Sequence, residues 1–182
     1  MNVTTALSIS AGDALGITLW RDGAREFVAA GLPGFTSATL AVGRAAAEGD
    51  ATLELRPLVE SPLLHAGPIE VRGVLGAQLF ELAVPGEVFT AFEERIIDRY
   101  TAFRSALGWS YDGLYDVRSE GIGLPAARAV VYIVDVASGE AAQGLAEASG
   151  PAPADIRTFG EECSTYKVDA GTWLWLEPAR PA

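Results

Sequence analysis

The chain has 182 residues and very few of the side chains that bind metals or act as nucleophiles, with one Cys, one His and one Lys. Because Cys163 is single, no disulfide can form within the chain. Cys163 and His65 together supply too few ligands for a structural zinc site. The Gly-x-Ser-x-Gly elbow of serine hydrolases is also missing. We therefore expect no resident metal, and we place His65 on a surface loop.

Glycine-rich loops that bind phosphate are missing as well. Gly121 and Gly123 lack the following glycine of the dinucleotide fingerprint, and no Gly-Lys-Ser or Gly-Lys-Thr sequence occurs. The one lysine, Lys167, lies in a segment near the C-terminus that we predict to be a hairpin. No nucleotide or other cofactor is expected from these patterns.

Basic residues are scarce, since 24 acidic residues face 13 basic ones and the net charge is −11. Nucleic acids and anionic membranes are both bound through clustered Lys and Arg, so neither is an expected partner. The longest apolar stretch, residues 126–137, contains two charged residues and is shorter than the about 20 residues that cross a bilayer. Residues 1–10 lack the features of a signal peptide. We expect a soluble, non-secreted protein that is cytoplasmic or carried in a larger particle.

Residues 1–84 contain short apolar segments separated by Gly, Pro and Asp. A spacing of about 8–12 residues between such segments is typical of an antiparallel sandwich or barrel. The sequence Asp22-Gly23 predicts a hairpin turn between the first two segments. The predicted strands are residues 15–20, 26–30, 36–42, 51–55, 69–74 and 78–84.

A helix is predicted for residues 87–107, because apolar side chains recur there at steps of three and four. The stripe consists of Phe89, Phe92, Ile96, Tyr100, Phe103 and Leu107. Glu93 and Glu94 are expected to be solvated charges on this helix. Gly108 is a natural C-terminal stop.

The remainder of the chain is mixed. We predict a loop at residues 110–125, a buried strand at 128–136, a short helix at 139–149 and a terminal hairpin from 164–168 and 172–177. The fold class is therefore α+β, with a β-rich N-terminal half, a central amphipathic helix and a mixed C-terminal part that ends in a β-hairpin. Residues 1–84 and 85–182 form two regions, either separate or packed together as one domain.

The segment from Trp109 to Glu120 is the most suggestive candidate site, because it places aromatic residues among acids. Such a mixture lines sugar or cation sites, and paired carboxylates can hydrolyse glycosides. The alternative is a loop whose aromatics pack on the core and whose acids face water. The candidate residues are Trp109, Tyr111, Asp112, Tyr115, Asp116 and Glu120.

Trp173 and Trp175 share one face of the predicted terminal hairpin, while Leu174 and Leu176 share the other. The two tryptophans form either an exposed binding platform or part of the core. If both were exposed, the patch would mark an interface.

The turns and spacings of residues 12–84 carry a resemblance to a known family. A short strand precedes Trp20-Arg-Asp-Gly23, and Gly31-Leu-Pro-Gly34 and the turn Glu48-Gly-Asp50 follow it. This pattern resembles the small Ig-like β modules of tailed-phage virion proteins, such as baseplate and receptor-binding components. The resemblance implies attachment or assembly inside a phage-like particle, with other protein subunits as partners.

These features give three hypotheses about function, with binding or assembly favoured over catalysis. The first is a structural protein that acts through protein–protein contacts in an oligomeric particle, such as a phage-like virion. The second is a module that binds a carbohydrate or another small molecule through residues 109–120. The third is a carboxylate-based hydrolase that uses Asp112, Asp116 or Glu120, whose carboxyl groups must then lie about 5–10 Å apart in a cleft.

Overall fold

The computed structural model describes residues 7–22, 26–30, 35–40, 51–120 and 128–178. Several sequence predictions lie outside these residues. They are the turns at Gly23, at residues 31–34 and at residues 48–50, and the glycine pair Gly121 and Gly123.

Ten strands and three α-helices are found in the described part of the chain. The strands are β1 Leu7–Ile9, β2 Leu15–Asp22, β3 Glu26–Ala30, β4 Phe35–Leu40, β5 Ala51–Val59, β6 Ile69–Val71, β7 Val74–Phe80, β8 Trp109–Glu120, β9 Arg128–Val134 and β10 Thr172–Pro178. The helices are α1 Gly86–Ala106, α2 Gly139–Ala148 and α3 Ala154–Thr165, and a short 3-10 helix spans Pro62–Ala66. The predicted α+β class is confirmed.

Eight of the strands form a closed antiparallel barrel in the order β10-β4-β3-β2-β5-β8-β9-β7, with β7 and β10 paired to complete the circle. The hairpin predicted from residues 15–20 and 26–30 is present as the β2–β3 pair. Strands β1 and β6 form a separate two-stranded ribbon. Strands β2 to β5 and β7 come from residues 1–84 and β8 to β10 from residues 85–182, so both regions contribute to one barrel.

Alternation along the strands divides the core into two clusters. The inner cluster fills the barrel and includes Leu53, Leu55, Leu75, Leu79, Tyr111, Tyr115, Val131, Ile133, Leu174 and Leu176. The outer cluster lies between the barrel wall and the helices and includes Phe80, Phe89, Phe92, Ile96, Trp109, Leu114, Val130, Tyr132, Val134 and Trp175. Both faces of β8 and β9 are therefore covered.

Helix α1 occupies almost the whole segment predicted to be helical, and Phe89, Phe92 and Ile96 of its stripe are buried. It begins after Pro85 and is followed by Gly108, whose φ of 87° lies in the left-handed region that favours glycine. The chain then enters β8 directly. Helix α1 consequently packs along the strand that follows it and covers the outer side of the barrel.

Several local predictions differ from the structure. The strands predicted at residues 69–74 and 78–84 are β6 Ile69–Val71 and β7 Val74–Phe80. Residues 109–120 form the long strand β8 and not a loop, because the barrel supplies β5 and β9 as hydrogen-bonding partners on either side. Ser164 belongs to α3, where its hydroxyl donates to the carbonyl of Gly160 at 2.9 Å. The final strand β10 therefore pairs with β4 and β7 and has no hairpin partner in residues 164–168.

The described helices give no candidate for a membrane span, because none of them is both long and apolar enough.

Candidate functional site

The outer face of the barrel carries a row of aligned residues that crosses four strands. Asp112 on β8 pairs in register with Tyr132 on β9, Tyr132 with Gly76 on β7, and Gly76 with Trp175 on β10. The next row contains Leu114, Val130, Gln78 and Trp173. Because alternate strand residues point to opposite faces, both rows lie on the side that the helices cover.

A cavity of about 230 Å³ lies between this face and the helices. Helix α1 contributes Glu93, Ile96, Tyr100 and Arg104, which recur at steps of three and four and so share one helical face. Helix α3 contributes Phe159, Gly160, Cys163 and Ser164, and Lys167 follows just after the helix. The barrel supplies Gln78, Asp112, Val130, Tyr132 and Trp173.

Surface ion pairs join α3 to α1 beside the cavity. Arg95 donates to Glu162 at 2.6 Å, and Arg99 donates to both carboxylate oxygens of Asp155 at 2.6 and 3.1 Å. The hydroxyl of Tyr166 also donates to Glu162 at 2.9 Å. The two arginine residues are one turn apart on α1, so the ion pairs hold α3 against α1 at two points along its length.

Asp112 is the most unusual group on the cavity floor. Its side chain is 1% exposed, and its Oδ1 atom has no hydrogen-bond partner. Burial raises the pKa of Asp112 to about 7, although Arg104 and Lys167 act in the opposite direction. A buried carboxyl with an unused acceptor atom is costly, since the desolvation penalty is not repaid by a bond.

Glu93 faces the same cavity from α1 and is 6% exposed. Burial, followed by the charge of Asp112, raises the pKa of Glu93 to about 8. The expectation of a solvated Glu93 is therefore wrong, whereas Glu94 is exposed. A signal was present in the sequence, because Phe89, Glu93, Ile96 and Tyr100 recur at helical spacing and place Glu93 within the buried stripe.

Arg104 lies among aromatic rings. Its guanidinium donates to the hydroxyl of Tyr100 at 3.0 Å, and its Nε atom has no hydrogen-bond partner. The guanidinium carbon lies 4.9 to 5.6 Å from the ring centres of Tyr100, Phe103, Trp109 and Tyr132. Cation–π attraction therefore stabilises the charge, while part of its hydrogen-bonding capacity stays unused.

Lys167 brings the second positive charge into the cavity wall. Its ammonium lies 3.4 Å from Oε1 of Gln78 and 4.1 Å from the ring centre of Phe80. Cys163 is a close neighbour, and burial raises the pKa of its thiol, with the ammonium of Lys167 opposing this effect. The single lysine and the single cysteine of the chain thus contribute to one cavity.

Of the candidate residues named from the sequence, Asp112 and Trp173 line the cavity. Tyr111 and Tyr115 point into the barrel interior, on the opposite side of β8. Asp116 accepts from Arg128 at 2.9 Å away from the cavity, so Asp112 and Asp116 do not form the predicted carboxylate pair. Glu120 ends β8, and its side chain lies outside the described residues.

Trp109 and Trp175 are structural members of the outer core and are 3% and 2% exposed. The indole nitrogen of Trp109 donates to the carbonyl of Ala142 at 3.3 Å. The rings of Trp173 and Trp175 stack at 5.4 Å with an interplanar angle of 8°. The pair is therefore a core element with Trp173 at the cavity, and not an exposed platform. The predicted separation of Leu174 and Leu176 from the tryptophans is confirmed, since both leucines belong to the inner cluster.

Sequence reasoning missed most of the polar residues of the site, among them Glu93, Tyr100, Arg104 and Lys167. The first three share the buried face of α1, so their helical spacing carried the information. Nothing local marked Lys167, because its position depends on how α3 packs on the barrel. His65 is exposed in the 3-10 helix and is not part of the cavity.

No group of three or more His, Cys, Asp and Glu side chains within the described ranges is arranged to hold a metal ion. No protein-family model, curated protein or solved structure matches this chain.

Proposed function

We propose that the protein binds a small polar molecule in the cavity between α1, α3 and the outer face of the barrel. The observation that carries this proposal is Asp112, a buried residue of the cavity lining whose Oδ1 atom has no hydrogen-bond partner. A ligand that donates a hydrogen bond to this atom offsets the cost of burying it. Perturbed carboxyl groups in a cavity are typical of functional sites.

Other buried polar atoms do not compete with this interpretation. In the described part of the chain, Thr101, Tyr111 and Trp175 also have a buried side-chain atom without a hydrogen-bond partner. None of the three lines the cavity, whereas Asp112 and Arg104 both do. An acceptor and a donor without a hydrogen-bond partner thus belong to residues that line the same cavity.

Trp173 lines this cavity, so its fluorescence should respond to a bound ligand. Intrinsic tryptophan fluorescence is titrated with a panel of monosaccharides, polyols, amines, amino acids and carboxylates at millimolar concentration. Saturable quenching by any member, at least tenfold weaker in Asp112→Asn, supports the proposal. Asp116→Asn is the matched control, because Asp116 lies on the same strand outside the cavity and should leave the affinity unchanged.

Two results contradict the proposal. The first is the absence of any saturable change across the panel, which leaves the cavity as a hydrated space. The second is a ligand whose affinity is the same in wild-type protein and in Asp112→Asn, which places its site elsewhere.

A second proposal is assembly with other protein subunits, as the sequence predicts. One observation favours it, a shallow groove of about 190 Å³ on the outer side of α1, lined by Val88, Ala91, Phe92, Arg95 and Tyr166. Val88 is 43% exposed there. A role in a phage-like virion extends this proposal and rests on the resemblance of residues 12–84 to virion β modules.

Light scattering coupled to size-exclusion chromatography tests assembly. Oligomers in wild-type protein that dissociate in Val88→Glu support the second proposal. Monomers at every concentration, with no copurifying subunit, contradict it.

A further inference from the structure

Among the basic side chains that the structure describes, five form an ion pair and three do not. Arg56, Arg72, Arg95, Arg99 and Arg128 each form an ion pair with a carboxylate at 2.6 to 2.9 Å. Arg157 donates to the carbonyl of Ala152 at the surface. Arg104 and Lys167 form no ion pair, and both line the cavity.

The acids of the cavity behave in the same way. Glu93 and Asp112 are buried and form no ion pair, although Lys167 influences the pKa of both and Arg104 influences that of Asp112. Two acidic and two basic side chains therefore line one cavity without forming an ion pair with one another. Acidic residues outnumber basic ones in this chain, whose net charge is −11. The lack of ion pairs at Arg104 and Lys167 is therefore not due to a shortage of carboxylates. A space between two unpaired cations and two unpaired acids suits a ligand that carries both charges.

We infer that the ligand is a small zwitterion of the free α-amino-acid class. Its carboxylate binds Arg104 and Lys167, and its ammonium group binds Asp112 and Glu93. This inference rests on the proposed binding function and names its substrate class. The guanidinium of Arg104 still has donors available, which match a carboxylate. The free Oδ1 of Asp112 accepts from the ammonium.

The remaining wall fits the side chain of such a ligand. Ile96, Val130 and Phe159 provide apolar contacts, and the ring of Trp173 lies beside them. The cavity of about 230 Å³ is smaller than the 300 to 1,000 Å³ that is usual for drug-sized ligands, and so suits a single amino acid. We therefore expect apolar amino acids to bind more tightly than charged ones.

Binding should also release protons near neutral pH. Glu93 and Asp112 hold protons there because burial disfavours their charged forms. An ammonium group beside them stabilises the ionised carboxylates, so their protons leave as the ligand enters. Calorimetric titration in buffers of different ionisation enthalpy measures the number of protons released on binding.

The experiment compares matched ligands. The free amino acids are first screened by calorimetry, and the tightest is compared with analogues that lack one charge. For L-leucine these are 3-methylbutylamine, without the carboxylate, and 4-methylpentanoate, without the ammonium group. We expect the amino acid to bind at least tenfold more tightly than either analogue, with proton release at pH 7.

Variants give a reciprocal pattern. Asp112→Asn should weaken the amino acid and the amine at least tenfold while leaving the carboxylate analogue unchanged. Arg104→Gln should weaken the amino acid and the carboxylate but not the amine. Lys167→Gln should weaken the same two ligands as Arg104→Gln, and it replaces Arg104→Gln if that variant does not fold.

The outcomes distinguish the zwitterion proposal from the broader proposal that the cavity binds a small polar molecule. If no amino acid binds but a polyol or a singly charged compound binds in an Asp112-dependent way, the zwitterion is excluded and the binding function stands. The zwitterion is also excluded if an amino acid binds no more tightly than its analogues. If no compound of either panel binds, both proposals are overturned.

Discussion

Glu93 on α1 and Asp112 on β8 line the same cavity, and the charge of Asp112 adds to the burial that raises the pKa of Glu93. The two residues are separated by 19 positions in the chain, and Gly108 joins the helix to the strand between them. This short connection places α1 back along β8, so an acid of each element lines one cavity. The electrostatic consequences of that arrangement can be measured.

The first prediction concerns stability and pH. Glu93 and Asp112 have pKa values of about 8 and about 7 in the folded protein, against 4.5 and 3.8 ordinarily. Their stabilising contribution is complete below the ordinary values and is lost as the pH rises through the raised ones. Between its ordinary and its raised pKa, each carboxyl lowers the free energy of unfolding by about 1.4 kcal/mol per pH unit, and the loss is complete above the raised value. Urea titrations between pH 4 and pH 9 measure this slope.

A neutral side chain at either position removes the pH dependence that the replaced carboxyl contributes to the free energy of unfolding. Glu93→Gln and Asp112→Asn should each flatten the curve and be more stable than wild-type protein at pH 9. Glu94→Gln is the matched control, since Glu94 is the exposed neighbour of Glu93. A wild-type curve that rises between about pH 5 and pH 7, where both carboxyls should lower the free energy of unfolding, contradicts the burial of these two acids.

The second prediction concerns the close contact of Trp175 with Gly76. A Cβ atom at Gly76 would overlap the Trp175 ring, so Gly76→Ala forces the indole to move. Such overpacking costs about 1–3 kcal/mol. Gly144→Ala is the control, because its Cβ would enter open space in the exposed part of α2. There we expect a gain of about 0.5–1 kcal/mol from helix propensity. Equal effects of the two variants in thermal unfolding would argue against the contact.

The third prediction concerns Phe89, which is fully buried against the rings of Phe80, Phe92 and Tyr166 at 5.3 to 6.1 Å. Phe89→Ala should destabilise the protein by about 3–5 kcal/mol, because it removes a large side chain and leaves a cavity. The adjacent Val88 is 43% exposed, and Val88→Ala should change stability by no more than about 0.5 kcal/mol. Chemical denaturation distinguishes the two, and a similar loss for both would show that α1 has a different rotation.

The fourth prediction concerns the ion pairs that hold α3. In the double variant Asp155→Asn/Glu162→Gln, both links to Arg95 and Arg99 are removed. We expect several-fold faster hydrogen exchange of the α3 amides, with the barrel strands unchanged, because local opening of α3 becomes easier. Wild-type protein in 1 M salt should show a similar change.

The control for this effect is Glu70→Gln, which removes the exposed Arg72 pair on the ribbon strand β6. It should leave exchange in α3 unchanged. Unaltered α3 exchange in the double variant would show that apolar contacts alone, such as those of Ile156, hold the helix.

The sequence by itself determined the elements whose side chains repeat with a clear period. The stripe of α1 and the β2–β3 hairpin follow from such local patterns, and so does the separation of Trp173 and Trp175 from Leu174 and Leu176. These features depend on spacings of two or of three to four residues, which are properties of neighbouring positions. The acidic composition is equally independent of the fold.

Tertiary structure alone decided the rest. Both faces of strand β8 are buried, one in the barrel and one beneath α1. Its sequence therefore lacks the alternation of polar and apolar residues that marks a half-exposed strand, and the strand was not recognised. Closure of the barrel by β10 brings together strands that are distant in sequence. The site joins Glu93, Asp112 and Lys167 only once α1 and α3 pack on that closed wall, because burial and the field of distant charges have no counterpart in a local sequence pattern.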